Sequence, residues 1–333
     1  MKRREVVRSI GLALVVLATP SLARAQQAGK LPTIGYLSDG SPPASPGNRM
    51  IDTFVQGLKE LGYIEGKNIA IEYRFADRKP ERWPEVAAEL VGLKVDVIVT
   101  ESGQAALNAK KVTQTIPIVM GGSGNPVGMG LVASLERPGG NVTGLSDWSP
   151  DMMKNRLQVL AKTVPNMTRV GILWPGAGSP TTDREWTDAD AAARELNLKV
   201  HFLQVRGATD LPGAFAEAAR EQVQGMVIFS MPTLIATVGP QIAELAIANR
   251  LPVVSHIPRY PINGGLMSYG ADPLVFFRQA AGYVDRILKG AKPGDLPVEG
   301  PKNTILVINL KAAKAIDLII PPAVLAQADQ VVQ

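Results

Sequence analysis

The stretch TIGYLSDGSPPASPGNRMIDTFVQGLKELG, residues 33–62, contains one complete strand, loop and helix. Its first residues, 33–37, form a β-branched and aromatic run that is typical of a buried strand. A loop rich in Pro, Ser and Gly follows, and residues 49–61 then place apolar side chains at helical spacing before Gly62. This unit predicts an α/β fold, in which helices cover a parallel sheet.

The same alternation continues along the chain. With helices between them, further strands are predicted at residues 69–73, 95–100, 116–120, 170–174, 200–205, 226–230, 252–255, 265–268 and 304–308. The segment Pro138-Gly139-Gly140 interrupts the pattern and separates two similar series. We therefore expect two Rossmann-like lobes with parallel sheets, between which the chain crosses more than once. The expected lobes are residues 31–143 plus 266–300, and residues 144–265 plus 301–328.

The composition excludes several kinds of site. The chain has 333 residues and no cysteine, which removes disulfides, thiolate metal sites and cysteine nucleophiles. The glycine-rich stretch GGSGNPVG, residues 121–128, matches neither the dinucleotide nor the P-loop fingerprint. Ser255 and His256 are adjacent in a strand end and point to opposite sides, so they do not form a nucleophile and base pair. We predict no cofactor, no metal and no catalytic residue.

The first 25 residues are typical of an export signal. A basic segment, MKRREVVR, precedes the apolar run IGLALVVLA and the small-residue pattern Ala23-Arg24-Ala25. Cleavage between Ala25 and Gln26 is predicted, which places the mature protein in the periplasm. The apolar run is about half of the roughly 20 residues that span a bilayer, which disfavours an uncleaved anchor. Arg3-Arg4 leaves both the general and the twin-arginine export routes open.

The charge of the chain is concentrated in this leader. Its formal net charge is +5, yet five of its 35 Lys and Arg residues and only one of its 30 acidic residues lie in residues 1–25. The remainder is close to neutral and has no basic stripe interleaved with aromatic residues. Nucleic-acid binding is therefore not predicted.

The residues that follow each predicted strand form the candidate site. Ligands of open α/β sheets collect at the carboxyl ends of the strands, where loop amides and helix N-termini converge. Serine hydroxyls there would bind a carboxylate, aromatic rings would cover an apolar group, and Glu101 or Asp147 would pair with an ammonium group. The alternative for these residues is helix capping and core packing. The candidate ligand-binding residues are Ser38, Asp39, Phe75, Glu101, Ser102, Ser123, Asn125, Ser146, Asp147, Trp148, Trp174, Ser230 and Tyr269.

Several long segments of the chain resemble one known family. IGYLSDGSP (34–42), LVASLERPGGNVTG (131–144), INGGLMSYG (262–270), ILKGAKPGDLPV (287–298) and VINLKAAKAIDLIIPP (307–322) are similar to the ABC-transporter substrate-binding proteins of the tryptophan/tyrosine type. The resemblance runs from about residue 31 to 325. It implies a periplasmic-binding-protein fold of the first type, with three crossovers between two lobes and a ligand enclosed between them.

The resemblance also implies a function. The protein would be a monomeric, non-enzymatic receptor that captures an aromatic or apolar amino acid, or a related carboxylate, and delivers it to an ABC permease. Where the family commonly reads Gly-Asp-Pro-Val, this chain has Gly124-Asn125-Pro126-Val127, so that an amide replaces a carboxylate near the cleft. Two other classes stay open from the sequence: an exported α/β enzyme that uses the same cleft, and a domain that presents its ligand to a membrane sensor.

Overall fold

The computed structural model describes residues 31–42, 48–148, 151–176, 180–229, 232–302 and 304–333. The predicted leader and its cleavage point at Ala25 and Gln26 lie outside this part of the chain, as does the candidate Ser230. Residues 32–333 belong to one compact unit. Among the described residues, no helix combines the length and the hydropathy that a membrane span requires.

The first half of the chain forms a parallel sheet with the strand order β2-β1-β3-β4-β5. Its strands are β1 (Thr33–Ser38), β2 (Ala70–Phe75), β3 (Val97–Thr100), β4 (Ile118–Met120) and β5 (Val142–Gly144). Its helices are α1 (Arg49–Glu60), α2 (Trp83–Gly92) and α3 (Gly103–Val112). The last strand, β5, was not predicted, because its three residues are too few to show a period.

Alternating side chains of β1 and β3 explain the layers around this sheet. Ile34 and Tyr36 contribute to one buried cluster, which also contains Phe54 of α1, whereas Leu37 and Ile98 contribute to another with the helices α2 and α3. Because successive residues of a strand point to opposite faces, a sheet that is buried on both faces reads as a continuous apolar run. The VIVT sequence of β3 is fully buried for this reason.

The second half forms a sheet with the strand order β12-β11-β10-β9-β8-β6-β7. Its strands are β6 (Arg169–Trp174), β7 (Lys199–Gln204), β8 (Gly225–Ile228), β9 (Val253–Ser255), β10 (Met267–Ala271), β11 (Thr304–Asn309) and β12 (Gln330–Val332). The helices of this half are α4 (Met152–Thr163), α5 (Pro180–Glu195), α6 (Leu211–Arg220), α7 (Pro232–Ala248), α8 (Arg259–Ile262), α9 (Pro273–Leu288), α10 (Leu310–Ala315) and α11 (Pro322–Leu325).

The chain passes between the two sheets three times. It leaves the first sheet after β5, returns after β10 so that α9 packs against α1, and re-enters the second sheet at β11. Because β11 arrives from the other lobe, it runs antiparallel to β10, while the remaining neighbours in the two sheets are parallel. The expected α/β fold, with two lobes of parallel sheets and three crossovers, is confirmed.

The strand β10 belongs to the second sheet, whereas the predicted boundary placed it in the first lobe. Residues 266–300 were assigned to the first lobe, but Met267–Ala271 forms hydrogen bonds with β9 and β11 in the second sheet. The chain joins the first sheet only with α9, whose Phe277 belongs to the buried cluster around Tyr36. The short strand before a crossover has the same apolar pattern in either lobe, so the pattern could not place it. The division into lobes otherwise stays a prediction.

Gly144 begins the first crossing, and its backbone requires glycine. Its φ of +125° lies in a region that side chains rarely adopt. A Cβ atom at this position would also collide with the backbone of Met120 on the neighbouring strand. The chain can therefore turn from β5 into the crossing only because residue 144 has no side chain.

Candidate ligand-binding site

Glu101 is the centre of a hydrogen-bond network at the carboxyl edge of the first sheet. Its carboxylate accepts hydrogen bonds from the Ser38 hydroxyl at 2.8 Å and from the Asp39 amide at 2.9 Å. It also accepts from the Tyr36 hydroxyl at 3.1 Å and from the Asn48 side-chain amide at 3.3 Å. Burial raises the pKa of Glu101, and these hydrogen bonds oppose the rise. The carboxylate therefore ties β1, β3 and the start of α1 together.

Asp39 differs from Glu101 because its partner is a single neutral hydroxyl. The Ser102 hydroxyl donates to its Oδ1 at 3.1 Å, and no basic side chain of the described ranges forms an ion pair with it. Burial, and then the charge of Glu101, raise the pKa of Asp39 to about 7. A carboxylate in this state is stabilised by any cation that reaches it.

The loop that follows β2 holds the backbone of Asp39, which lies in the loop after β1. The amides of Asp77 and Arg78 donate to the carbonyls of Gly40 and Asp39, each at 2.9 Å. Asp77 and Arg78 both have a positive φ, 55° and 58°, which side chains seldom adopt in succession. Phe75, the last residue of β2, is half-buried against the aromatic cluster of the first sheet. The structure thus fixes the carboxylate of Asp39 at the end of β1.

The serines of the first lobe lie at the same edge. Ser102 caps α3 by accepting a hydrogen bond from the Ala105 amide at 3.2 Å. Ser123 is buried beside the N-terminus of α3, and its carbonyl accepts a hydrogen bond from the Ser146 hydroxyl at 2.7 Å. The partial positive charge of a helix N-terminus attracts anions. Strand topology therefore brings the first-lobe serines together near the N-terminus of α3, where each hydroxyl already has a partner within the protein.

The side chain of Asn125 stabilises the turn that starts at this residue. Its side-chain oxygen accepts a hydrogen bond from the Gly128 amide at 2.9 Å. An aspartate would accept the same hydrogen bond, so the difference from the family pattern leaves this turn intact.

We therefore expect Asn125→Asp to change the affinity for an amino acid less than threefold, because the substitution preserves the hydrogen bond of the turn. Isothermal titration calorimetry of the two proteins would measure this. A tenfold or larger gain would instead show that residue 125 acts as the counter-charge of the ligand.

The aromatic residues of the second lobe have different surroundings. The Trp148 indole donates to Asp188 at 3.1 Å, and the Arg184 guanidinium lies 4.3 Å from the centre of its ring. Trp174 contacts the Trp186 ring at 4.7 Å and belongs to a cluster with Phe202. Packing against Trp186 and Phe202 explains the position of Trp174. In Trp148, the hydrogen bond to Asp188 and the contact with Arg184 fix the orientation of the ring at the start of the second lobe. Trp186 was not among the predicted residues, because its position in a helix gave no signal.

A buried arginine that the sequence analysis missed organises the edge of the second sheet. Arg156 on α4 is 3% exposed, and its Nε donates to the Tyr269 carbonyl at 3.1 Å. Its Nη1 lies 3.4 Å from the Glu185 carboxylate. Burial lowers the pKa of Arg156, and Glu185 opposes this shift. The signal was present, because Arg156 shares a helix face with the buried residues Met152 and Leu160.

Asp147 and His256 lie near this arginine, and each has a buried atom without a hydrogen-bond partner among the described residues. The atoms are Oδ1 of Asp147 and Nδ1 of His256. Burial raises the pKa of Asp147 against the opposing charge of Arg156. The pKa of His256 lies well below its usual value, first because of burial and then because of Arg156. The Tyr269 hydroxyl, in contrast, accepts a hydrogen bond from Thr304 at 2.9 Å.

Within the described ranges, no group of His, Asp and Glu side chains is arranged to hold a metal ion. The second histidine, His201 on β7, lies 3.5 Å from Glu221 and belongs to a strand on the opposite border of the second sheet from β12.

The chain is similar to known solute-binding proteins in sequence and in fold. A family model described as "ABC transporter substrate binding protein" matches residues 47–332. The "Tyrosine-binding protein" of Clostridioides difficile (strain R20291) is 28% identical over 270 residues, which cover 80% of this chain and 75% of that protein.

Two solved structures extend the comparison. A conserved domain protein from Vibrio cholerae is 30% identical and superposes with a TM-score of 0.81, over 91% of this chain and all of the other. An ABC domain in complex with L-Trp from Streptococcus pneumoniae is 25% identical, with a TM-score of 0.80 and the same coverage. Together with more distant solute-binding proteins, these structures confirm the periplasmic-binding-protein fold of the first type.

Proposed function

This chain belongs to the ABC transporter substrate-binding protein family, and from this premise we propose that it captures an aromatic amino acid between its lobes. The observation that carries the proposal is the Asp39 carboxylate, which is held at the first sheet edge without a basic partner in the described ranges. The names of two relatives, one a tyrosine-binding protein and one solved with L-Trp, support the same ligand class.

The head group of an amino acid fits the first lobe. Its ammonium group would pair with Asp39, and its carboxylate would lie at the N-terminus of α3, near the hydroxyls of Ser102 and Ser123. A carboxylate at a helix N-terminus and an ammonium beside a buried carboxylate are both favourable electrostatic arrangements. Glu101 would act indirectly, because its hydrogen bonds position Ser38 and Asp39.

The ring of the amino acid would lie against the aromatic residues. Trp148 offers an oriented face, Phe75 is the last residue of β2, and Tyr269 lies within β10 in the second lobe. Contact between aromatic rings contributes about 0.5–1.5 kcal/mol beyond the burial of apolar area. Trp174 would support this surface from behind through its contact with Trp186. Contacts between the ligand's ring and these residues would therefore favour closure of the two lobes.

Family membership associates the chain with a small solute and an ABC transporter, and the relatives above are binding proteins. We propose further that this chain catalyses no reaction. His256 is kept neutral by its surroundings, and His201 contacts a carboxylate on the surface of the second lobe. In the described residues, neither histidine forms a hydrogen bond with a serine hydroxyl, as a nucleophile and base pair would require.

The proposed cellular place is the periplasm, with the protein as a monomer that delivers its ligand to an inner-membrane permease. The leader of residues 1–25 supports this proposal. Mass spectrometry of a periplasmic extract should find Gln26 as the first residue. Intact Met1 on a protein recovered from the cytoplasm would contradict it.

A thermal-shift screen of the ligand-free protein tests the ligand class. A ligand at about 100 times its Kd should stabilise the fold by about 2.7 kcal/mol, provided that it binds only the native state. We expect the largest shift with L-tyrosine or L-tryptophan and none with ribose. A screen in which ribose shifts the melting temperature and the aromatic amino acids do not would contradict the proposal.

A further inference from the structure

One polar cluster of the second lobe has no role in the proposed head-group site. It contains Asp147 from the first crossing, Arg156 from α4, Glu185 from α5 and His256 after β9. The carbonyl of Tyr269, which follows Ser268 on β10, accepts a hydrogen bond from Arg156. Because β9 and β10 are parallel neighbours, His256 and Tyr269 end at the same edge of the second sheet.

Arg156 already has two partners within this cluster. Its Nε donates to Tyr269, and its Nη1 faces Glu185, which is itself buried. The arginine therefore holds the cluster together and influences the charge of Asp147 and His256 at a distance. The buried atoms of the cluster that have no partner in the described residues are Oδ1 of Asp147 and Nδ1 of His256.

The two unpartnered atoms are buried acceptor positions. Oδ1 of Asp147 accepts hydrogen bonds when the acid is ionised, and Nδ1 of a neutral histidine accepts when Nε2 carries the proton. A buried polar atom without a partner costs about 1–3 kcal/mol, so native proteins seldom leave such atoms unpaired. Among the described residues no donor reaches these two atoms, and a donor on a bound molecule could pair with them.

The place of the cluster indicates which part of a ligand meets it. Asp147 directly precedes Trp148, the oriented ring at the start of the second lobe, while the head-group site lies at the edge of the first sheet. An amino acid that is bound by its head group in the first lobe would direct its side chain toward the second. The far end of an aromatic side chain is then the part that approaches Asp147 and His256.

We propose that Asp147 and His256 accept a hydrogen bond from a donor on the ligand's ring, which selects a phenol or an indole over an unsubstituted phenyl ring. This inference rests on the proposed function, because it assumes an aromatic amino acid between the lobes. Phenylalanine would fill the same space and leave both acceptors without a donor. A site built for a hydrogen bond rejects a ligand that lacks it more strongly than an apolar pocket rejects a change of size.

Calorimetric titration of the ligand-free full chain with L-tyrosine, L-tryptophan and L-phenylalanine tests this inference. We expect L-tyrosine or L-tryptophan to bind about 10- to 100-fold more tightly than L-phenylalanine, which is the factor that one or two unpaired buried acceptors would produce. The tyrosine and tryptophan arms distinguish the phenol from the indole as the donor. Asp147→Ala and His256→Ala should each reduce the preference to less than threefold.

His201→Ala is the matched control, because Nε2 of His201 is also buried without a partner but lies on β7, away from the cluster. This variant should keep the preference of the unaltered protein. The preference is a ratio measured within one protein, so a general loss of stability does not imitate the result. If one variant does not fold, the titrations of the unaltered chain still decide the question.

Equal binding of L-phenylalanine by the unaltered chain would overturn the inference and leave the proposed aromatic ligand class standing. Retention of the full preference in both cluster variants would also overturn it. If none of the three amino acids binds, the proposed function fails, and this inference fails with it.

Discussion

Asp39→Asn should lower the affinity for L-tyrosine or L-tryptophan by about 100-fold or more, while the affinity for the corresponding des-amino acid changes less than threefold. The amide keeps the shape and can still accept the Ser102 hydrogen bond, but it removes the charge that we propose as the partner of the ammonium group. Loss of one partner of a buried charge pair costs on the order of 2–5 kcal/mol. Calorimetry with both ligands measures the two effects separately.

Asp52→Asn, at an exposed acidic residue of α1, is the matched control and should bind both ligands like the unaltered protein. Equal losses for the amino acid and the des-amino acid in Asp39→Asn would contradict the account, because an ammonium partner affects only the ligand that carries an ammonium group.

The pH dependence of binding follows from the same carboxylate. Asp39 has a pKa of about 7 in the ligand-free protein, and under the proposed function the ammonium group would pair with its ionised form. As the pH falls below 7, the affinity for the amino acid should fall by up to about tenfold per pH unit, since a proton must first leave Asp39. The des-amino acid should show no such loss in this range. A flat profile for the amino acid between pH 5 and pH 8 would remove Asp39 from the site.

The stability of the ligand-free protein should change in the opposite sense. The folded-state pKa of Asp39 is raised from 3.8 to about 7, so the folded protein binds more protons than the unfolded chain between these values. Its contribution to stability therefore falls as the pH rises through this window. At pH 8 we expect Asp39→Asn to be more stable than the unaltered protein by on the order of 1–4 kcal/mol. Near pH 4 the two should unfold alike in urea.

Glu101→Ala should cost on the order of 3–5 kcal/mol of unfolding free energy, which is the second large effect. The substitution leaves the Ser38 hydroxyl, the Tyr36 hydroxyl and the Asp39 amide without their acceptor in a buried place. Buried donors that lose their acceptor carry the full cost of their desolvation. Urea unfolding measures the loss, and titration should show that the amino acid and its des-amino analogue lose affinity by similar factors.

Glu60→Ala provides the comparison for this result. Glu60 forms an exposed ion pair with Arg278, and because solvent screens such pairs, this variant should unfold in urea like the unaltered protein. Unchanged stability of Glu101→Ala, together with a loss of affinity only for the amino acid, would indicate instead that Glu101 pairs with the ammonium group. The sequence alone allowed that role, and the proposal gives it instead to Asp39 because the Glu101 carboxylate already accepts four hydrogen bonds.

The sequence was most informative where a pattern is local. The apolar runs of β1 and β3 and the helical spacing of α1 predicted these elements within two residues. The strand ends then indicated which residues would meet at one edge, because parallel strands place their carboxyl ends together. The short strand β5 and the lobe to which β10 belongs depend on pairing between distant segments, which no local period records.

The site was less accessible to sequence reasoning, because its chemistry depends on which side chains are already paired. Glu101 and Asp39 are both acidic residues at strand ends, yet one accepts four hydrogen bonds and the other accepts one from Ser102. The register of β1 against β3 and the position of Asn48 at the start of α1 bring these partners to Glu101. Arg156 was missed although it interrupts an apolar helix face, since a buried arginine becomes informative only when its partners are known.

Titration of the ligand-free protein with L-tyrosine and L-tryptophan, followed by mass spectrometry of the recovered ligand, tests the central claim most directly. The account predicts binding of one molecule per chain and recovery of the amino acid unchanged. Absence of binding by either amino acid, or recovery of a chemically altered product, would contradict it.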